Sequence, residues 1–442
     1  MPLVRGPVTA GALLQGASGT EWQPVQLVEI ELSSPLRVHA CREPDRFGSA
    51  QALVRLHGRP LGLVTLPVEA SPEEQAQAVS SALGSRIADH LAGDGLDVVH
   101  RVPADGLRHE GAPPCVERRR ALLRNPPTVT VLVATRDRTP ELGACLESLL
   151  TQDYPGPYDV VVTDSAPSSE ATRDYVHARF DGDRRVRYVR ADRPGLAVAH
   201  NHGLGAATGD IIAITDDDVV VDAQWLSAVI EAFRAFPGTA CVTGLILPFE
   251  LETRPQALLE QYGGFSRGFD RRAYSLGSDR PDDPLFPYTA GRLGSGANMA
   301  FEARALEALG GFDPALGAGT PARGGDDLAA FVQVLLAGHR LVYQPEAIVR
   351  HRHRRDFDGL RAMADGYGVG LGAYLASTVA TRPSVLLDVM RKARGVPSYL
   401  LRSDSPKNRG KGRGYPRELD RVERLGMIRG PAAYARSRRR SR

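Results

Sequence analysis

Apolar runs of strand length alternate with amphipathic segments of helical length after residue 126. Strands are predicted at 128–134, 158–163, 186–189 and 210–215, and helices at 140–150, 168–178 and 196–207. Strands that alternate with helices of this length indicate parallel β-α units and a sheet covered on both faces. The pattern therefore predicts an α/β domain over residues 127–355.

The pattern before residue 127 is different. Three strand-like segments at 25–32, 52–56 and 61–66 precede a helix that begins after Ser71 and ends near Leu91. Ser71 with a following proline is a typical helix start. Residues 1–126 are therefore predicted to form a β-rich α+β module of unknown role, and its charged, proline-containing end, 108–127, a linker.

Residues 356–442 are predicted to form a helical extension with a basic tail. The glycine-spaced segment 367–375 either packs on the main domain or forms a shallow membrane-surface element, and a second helix is predicted at 384–393. Residues 381–442 contain 18 Lys and Arg against 5 Asp and Glu, a net +13, which leaves −10 on the first 380 residues of a chain with net +3. A solvated, disordered end is favoured over membrane contact. Specific nucleic-acid binding is disfavoured because no aromatic residues are interleaved with the charges.

Composition adds the broad class of protein. The chain has 442 residues, of which 42% are hydrophobic and 24% charged, as in an ordinary soluble protein of two or three domains. Its four cysteines are far apart and show no metal-binding spacing, which favours a reducing compartment. With neither a leader-like segment nor an apolar run of membrane-spanning length, we expect a cytoplasmic protein.

Three consecutive carboxylates follow the strand at 210–215. Asp216 and Asp218 point the same way in extended backbone, so they can converge on one hard cation such as Mg²⁺ or Mn²⁺. Phosphate oxygens of a nucleotide diphosphate could complete its coordination. The alternative is an acidic turn that ends the strand and caps the next helix.

Polar residues also follow the other predicted strands. The first strand ends at Thr135 and Arg136, and the second at Asp164. Ligands of parallel sheets bind beyond the carboxyl ends of the strands, so these side chains and Asp216 are expected at one edge. Asp164 can accept a base N–H group there, and Asp216 can bind a ribose hydroxyl. Each could instead cap a helix.

Several motifs in fixed order resemble one enzyme family. The motifs are Val131–Arg138, Cys145–Pro155, Gly195–Gly203, Thr215–Asp218, Gly294–Met299, Gly310–Asp313, Gly324–Leu328 and Val349–His353. Together they closely resemble the family 2 glycosyltransferases of the GT-A fold, whose sheet is mixed and mainly parallel. The resemblance covers roughly residues 127–355.

The resemblance implies inverting transfer of a sugar from a UDP-, dTDP- or GDP-linked donor to an acceptor hydroxyl, assisted by Mn²⁺ or Mg²⁺. It implies metal ligation by Asp218, Asp216 and His351, with His353 as the second choice. A surface histidine among arginines is the alternative for His351. The implied donor-binding residues are Thr135, Arg136, Asp164, Asn201, Asp216, Asp217 and Asn298.

Inversion in one step needs a base for the acceptor hydroxyl. Asp326 and Asp327 precede an amphipathic helix where the family usually has a Glu-Asp pair, whose second member is the base. Asp327 is therefore the first choice and Asp326 the second, with helix capping as the alternative. In the third motif His200 stands where the family usually has arginine, so the phosphate contact of that arginine is not implied for this chain.

Two other functions stay open. A nucleotidyltransferase would also use paired carboxylates and metal ions, but it predicts a glycine-rich basic loop after the first strand, and 135–140 contains no glycine. A non-catalytic sugar-nucleotide-binding protein would keep its function without Asp327. The sequence leaves the sugar, nucleotide, acceptor and oligomeric state open, and peripheral contact with the inner face of the membrane stays a hypothesis.

Overall fold

The computed structural model describes residues 22–261, 264–393, 395 and 415–441. The described residues form one sheet of three strands and one of nine. The larger sheet contains β4 (Val129–Thr135), β5 (Tyr158–Ser165), β6 (Val186–Ala191), β7 (Ile211–Asp216), β8 (Val219–Val221), β9 (Thr239–Pro248), β10 (Arg272–Tyr274), β11 (Asn298–Glu302) and β12 (Arg340–His351). Its order is β10-β12-β9-β11-β7-β4-β5-β6, with β8 paired to β12.

The sheet is mixed but mainly parallel. β4, β5, β6 and β7 run parallel to one another, as do β9 and β12, whereas β11 is antiparallel to β7 and β9, and β8 and β10 are antiparallel to β12. Helices flank it: α3 (Thr139–Leu150), α4 (Ala171–Phe180), α5 (Leu196–Leu204), α6 (Trp225–Ala235), α7 (Arg254–Gln261), α8 (Ala303–Ala308) and α9 (Asp326–Leu336). Large apolar clusters lie on both faces. The predicted α/β class with a mixed, mainly parallel sheet is confirmed.

The N-terminal part has its own sheet and core. β1 (Val25–Glu31) runs parallel to β2 (Ser49–Leu56), which is antiparallel to β3 (Arg59–Leu66). Helix α1 (Pro72–Gly93) packs on them and begins with a capping box, in which Ser71 and Glu74 satisfy each other's backbone N–H groups. Residues 1–21 of the predicted module lie outside the described part of the chain.

The predicted linker at 108–127 is wrong over its central part, because helix α2 (Pro114–Leu122) forms there. The helix has a tertiary reason to form: Arg119 is buried and its Nε donates to Glu231 Oε2 at 2.6 Å. Arg271 also binds Glu231, and Arg59 and Arg119 bind Glu346. This ion network joins the N-terminal part to α6 and β12.

The C-terminal extension contains α10 (Phe357–Thr381), α11 (Leu386–Ala393) and α12 (Arg417–Ser441). Glycines let α10 and α12 approach closely, since a Cβ at Gly430 would lie 2.5 Å from Gly372 Cα. The expectation of a disordered end is therefore wrong for Arg417–Ser441, which are helical, although Arg438, Arg439 and Arg440 are exposed as in a solvated end. Residue 442 lies outside the described residues. The segment 367–375 belongs to α10 and packs in the protein, which favours the packing interpretation over the membrane one.

Candidate active site

Strand register brings the predicted polar residues to one edge of the sheet. Thr135 at the end of β4 pairs with Asp164 of β5, and Ala134 pairs with Asp216 of β7. The three strands are parallel, so their carboxyl ends open on the same side. β8 then turns back and pairs with β12, which sets His351 opposite Val219. The edge thus gathers residues from four separate strands.

Asp216, Asp218 and His351 form a group that could hold a metal ion. One ligand atom from each lies within 4.8 Å of the others, and His351 Nε2 is 3.3 Å from Asp218 Oδ1. Burial opposes the charge of Asp218, but the hydrogen bond with His351 and the nearby Arg138 and Arg354 lower its pKa to about 2. Burial and the neighbouring acids raise the pKa of Asp216 well above its ordinary value. A divalent cation would relieve this repulsion, so the donor set fits one.

His353 supports this group from behind. Its Nδ1 is 3.2 Å from His351 Nδ1, its Nε2 is 2.7 Å from Glu260 Oε1, and it is buried. A hydrogen-bonding partner on the far ring nitrogen of a metal-bound histidine fixes the orientation of its ring. The two histidines therefore differ in position. His351 belongs to the group that could hold a metal ion, whereas His353 contacts His351 and is not part of that group.

Asp217 has its carboxylate engaged within the protein. Thr135 Oγ1 donates to Asp217 Oδ2 at 2.7 Å, and Arg138 Nη1 donates to Asp217 Oδ1 at 3.1 Å and to Asp218 Oδ2 at 3.2 Å. Thr135 and Asp217 are both buried. Sequence reasoning gave Arg138 no role, although it lies three residues after a strand end. Its cation holds the two acids side by side.

Asp164 is fully buried at the end of β5. Its Oδ2 accepts the Tyr188 hydroxyl at 3.0 Å, and its Oδ1 has no hydrogen-bond partner among the described residues. Burial raises the pKa of this carboxyl. A buried oxygen of this kind needs a partner, which either the neighbouring Thr172 hydroxyl or a ligand donor would supply. Nearby Arg136 has a side chain that is 53% exposed, so it is accessible to a ligand.

Asp326 and Asp327 begin α9 but differ in their surroundings. Asp327 is half-buried and accepts the backbone N–H groups of Gly296 at 2.9 Å and Leu328 at 2.8 Å. Asp326 is buried, and burial with the charge of Asp327 raises its pKa to about 7. Burial also raises the pKa of Asp327, which its backbone hydrogen bonds oppose. Backbone hydrogen bonds favour the ionised form of both acids, and the charge of Arg267 adds to this effect at Asp327.

Both asparagines predicted to bind the donor are engaged inside the protein. Asn298 Nδ2 donates to the carbonyls of Leu245 and Ala347, and its Oδ1 accepts from Trp225 Nε1 at 2.9 Å. Asn201 exchanges two hydrogen bonds with the backbone of Phe312. A hydrogen bond from Asn298 Nδ2 to the nucleotide sugar would require one of the two bonds to Leu245 and Ala347 to break. The structure thus gives both residues a positioning role that the motifs did not indicate.

His200 lies close to Asp326, the second-choice base. Its Nδ1 is 3.9 Å from Asp326 Oδ2, and neither ring nitrogen has a hydrogen-bond partner within the described part of the chain. Complete burial lowers its pKa to about 4, so the ring is neutral at physiological pH. It therefore supplies no positive charge where an arginine would.

A family model described as "Glycosyltransferase like family 2" matches residues 126–363. The chain belongs to this family and is a glycosyltransferase. The predicted family and GT-A fold class are thereby confirmed, and nucleotidyl transfer is not favoured.

No helix within the described ranges is long and apolar enough to cross a membrane.

Two curated relatives are similar over the same domain. The chain is 24% identical over 257 residues to the glucosyl-dolichyl phosphate glucuronosyltransferase of Haloferax volcanii, covering 54% of this chain and 75% of that protein. It is 27% identical over 241 residues to the pre-mycofactocin glycosyltransferase of Mycobacterium tuberculosis, covering 54% of this chain. That match spans 46% of the mycobacterial protein, less than half its length.

Solved structures of glycosyltransferases also resemble the chain. The mannosyltransferase PcManGT of Pyrobaculum calidifontis, in complex with GDP-Man and Mn²⁺, has a TM-score of 0.43 and 21% identity, covering 73% of this chain and 92% of that one. GalNAc-T7 with UDP, GalNAc and Mn²⁺ has a TM-score of 0.39 and 18% identity, covering 59% and 52%. At these scores the fold assignment rests on the sheet topology and the family match.

Proposed function

We propose that this enzyme transfers a sugar from a nucleotide diphosphate sugar to an acceptor hydroxyl with inversion, assisted by a divalent cation. One observation carries the proposal: ligand atoms of Asp216, Asp218 and His351 meet within 4.8 Å at the carboxyl end of β7. Two carboxylates and an imidazole suit Mn²⁺, and Mg²⁺ is the second choice because it prefers oxygen ligands. A bound cation would take up charge on the departing diphosphate.

The residues around this group would orient the donor. The free oxygen of Asp164 can accept a base N–H group, and the accessible guanidinium of Arg136 can bind phosphate or ribose oxygens. Thr135 would act indirectly, because its hydroxyl is committed to Asp217. We propose residues 127–355 as the transferase unit, with the N-terminal part bracing β12 and α6 through the ion network.

Asp327 is proposed as the base that accepts the acceptor hydroxyl proton. It is less buried than Asp326, and two backbone N–H groups stabilise its charge. Burial and the charge of Asp327 raise the pKa of Asp326 to about 7, so Asp326 takes up a proton more readily than an ordinary carboxyl, and Asp327 is the preferred carboxylate of the pair. The partial charge of the α9 N-terminus also favours a carboxylate at this position.

A thermal-shift panel of UDP, dTDP, GDP and their sugars, with and without Mn²⁺, tests donor and metal together. We expect one nucleotide class to stabilise the protein only with Mn²⁺, by about 2.7 kcal/mol at a hundredfold excess over Kd. Mn²⁺ alone and chelator alone separate effects on the protein from effects on the nucleotide. Stabilisation that persists in chelator would contradict the metal role, and no shift with any nucleotide would contradict the donor class.

We also propose that α11 contacts an anionic lipid surface. Leu386, Leu387 and Met390 are exposed by 45%, 66% and 59%, beside the basic Arg391 and Lys392. Exposed apolar side chains beside basic ones are typical of helices that lie in a membrane interface. The Haloferax volcanii relative is named for a dolichyl-phosphate-linked substrate, which supports a lipid-linked acceptor here as well.

Co-sedimentation with vesicles tests this contact. The wild type should pellet with phosphatidylglycerol vesicles at low salt and less with phosphatidylcholine vesicles. The double variant Leu387→Glu, Met390→Glu should stay in the supernatant, whereas Val38→Glu, at an exposed apolar position of the N-terminal part, should behave as the wild type. Equal sedimentation of all three proteins, or of none, would contradict the contact.

A further inference from the structure

A second group of metal-binding side chains lies in the N-terminal part, outside the transferase unit. It consists of His57, His90, Asp94 and Cys115, and one ligand atom from each lies within 4.8 Å of the others. His57 is in the turn between β2 and β3, His90 and Asp94 end α1, and Cys115 is in the first turn of α2. Three separate elements thus bring four ligands of three types to one point.

The distances between the ligand atoms are those of a tetrahedral zinc site. His57 Nδ1 is 3.0 Å from His90 Nε2, 3.3 Å from Asp94 Oδ2 and 3.5 Å from Cys115 Sγ. His90 Nε2 is 3.6 Å from Asp94 Oδ2 and 3.8 Å from Cys115 Sγ. Zinc bonds of about 2.0–2.3 Å at tetrahedral angles separate neighbouring ligands by roughly 3.3–3.7 Å. The observed distances fall around this range.

The surroundings complete the site. Asp94 Oδ1 accepts from Arg118 Nη2 at 2.6 Å, which leaves Oδ2 turned toward the other three ligands. The His57 and Asp94 side chains are each 1% exposed, and Cys115 is buried. A hydrogen-bonded carboxylate and a shielded pocket are typical of structural metal sites.

His57 also has a backbone conformation that its turn does not require of a histidine. Its φ is 56°, in the left-handed region, and Gly58 follows with φ 74°. Two-residue hairpin turns with both φ values positive usually contain Asn, Asp or Gly. A histidine at the first position is therefore strained, and strained residues of this kind are typical of functional sites. Its imidazole contacts the other three side chains of the group.

We propose that these four side chains bind Zn²⁺ in a structural site distinct from the active-site metal. One thiolate, two imidazoles and one carboxylate favour zinc over Mg²⁺ or Mn²⁺, and the two anionic ligands balance its charge. Four protein ligands leave no open position for substrate, so the ion has no catalytic role.

The position explains what the ion does. Cys115 begins the helix that carries Arg119 into the ion network, and the Cys115 carbonyl accepts from Arg59 Nη2 at 3.1 Å. Zinc would tie the β2–β3 turn and the end of α1 to this helix. It therefore locks the N-terminal part to the segment that enters the transferase unit.

The test measures the zinc content of the untagged full-length chain, purified without chelator, by elemental analysis. We expect about one zinc per chain in the wild type and in Cys41→Ser, whose half-exposed thiol lies outside the group. Cys115→Ser and His90→Ala should fall to background. A wild-type chain without zinc would overturn the proposal.

Cobalt substitution gives a readout that needs no folded variant. Co²⁺ in the wild-type chain should give a thiolate-to-metal charge-transfer band and the visible absorption of tetrahedral cobalt. Asp218→Asn should keep both the band and the zinc, because it changes only the active-site group. Zinc lost in Asp218→Asn but kept in Cys115→Ser would assign the ion to the active site and overturn the proposal.

Discussion

Replacing Asp327 with Asn is expected to lower kcat by roughly 10²- to 10⁴-fold, the contribution of a positioned general base. The amide cannot accept the acceptor hydroxyl proton, but its oxygen can still accept the Gly296 N–H group. The fold and the donor affinity should therefore persist. Steady-state transfer kinetics and nucleotide titration by calorimetry measure the two effects separately.

Two matched variants sharpen this test. Asp326→Asn should reduce kcat less, and Asp181→Asn, at a side chain that is 83% exposed, should leave it unchanged. Because burial raises the pKa of the Asp327 base above its ordinary value, kcat/KM should fall with decreasing pH at a higher pH than an ordinary aspartate would give. Asp326→Asn should keep this fall in kcat/KM, because Asp327 remains the titrating base. An Asp327→Asn enzyme with the kcat of the wild type would show that Asp327 is not the base.

Replacing Asp218 with Asn should abolish Mn²⁺-dependent nucleotide binding and lower kcat/KM by roughly 10²-fold or more. A cation that takes up leaving-group charge contributes several kcal/mol, and about 1.4 kcal/mol corresponds to a tenfold change in rate. The neutral amide is a weaker ligand and no longer attracts His351. Calorimetric titration of Mn²⁺ with the nucleotide measures the loss.

The Asp218 variant should remain folded, since Arg138 keeps its contact with Asp217. Asp181→Asn again serves as the control, and its Mn²⁺ response should match that of the wild type. An Asp218→Asn protein that binds nucleotide as tightly in Mn²⁺ as the wild type would place the ion elsewhere.

The fold of the central domain could be predicted because its information is local. Strands such as β4 and β7 are continuous apolar runs, and a sheet buried on both faces requires that pattern. The carboxylates after β7 could be predicted for the same reason, since they follow directly where the buried run ends.

Features that depend on tertiary contacts could not be predicted this way. Residues 114–122 contain charge and proline and suggest a linker, yet burial of Arg119 against Glu231 stabilises a helix there. Asn298 stands in a family motif, but only the packed structure shows Trp225 using its oxygen. The group of His57, His90, Asp94 and Cys115 was missed because, apart from His90 and Asp94, its members are 21 to 58 residues apart along the chain, and a search for ligand spacing among the cysteines does not find them.

The close approach of α10 and α12 connects these C-terminal helices to the start of α9. Gly325, at the start of α9, packs against the backbone of α10, where an added Cβ would lie 2.5 Å from the Gly370 carbonyl oxygen. α10 is in turn clamped by α12, which lies wholly beyond the residues that match the family. A chain that ended at residue 363, where the family match ends, would lack α12 and its packing on the helix next to Asp326 and Asp327. Helices outside the proposed transferase unit, residues 127–355, therefore support the start of α9.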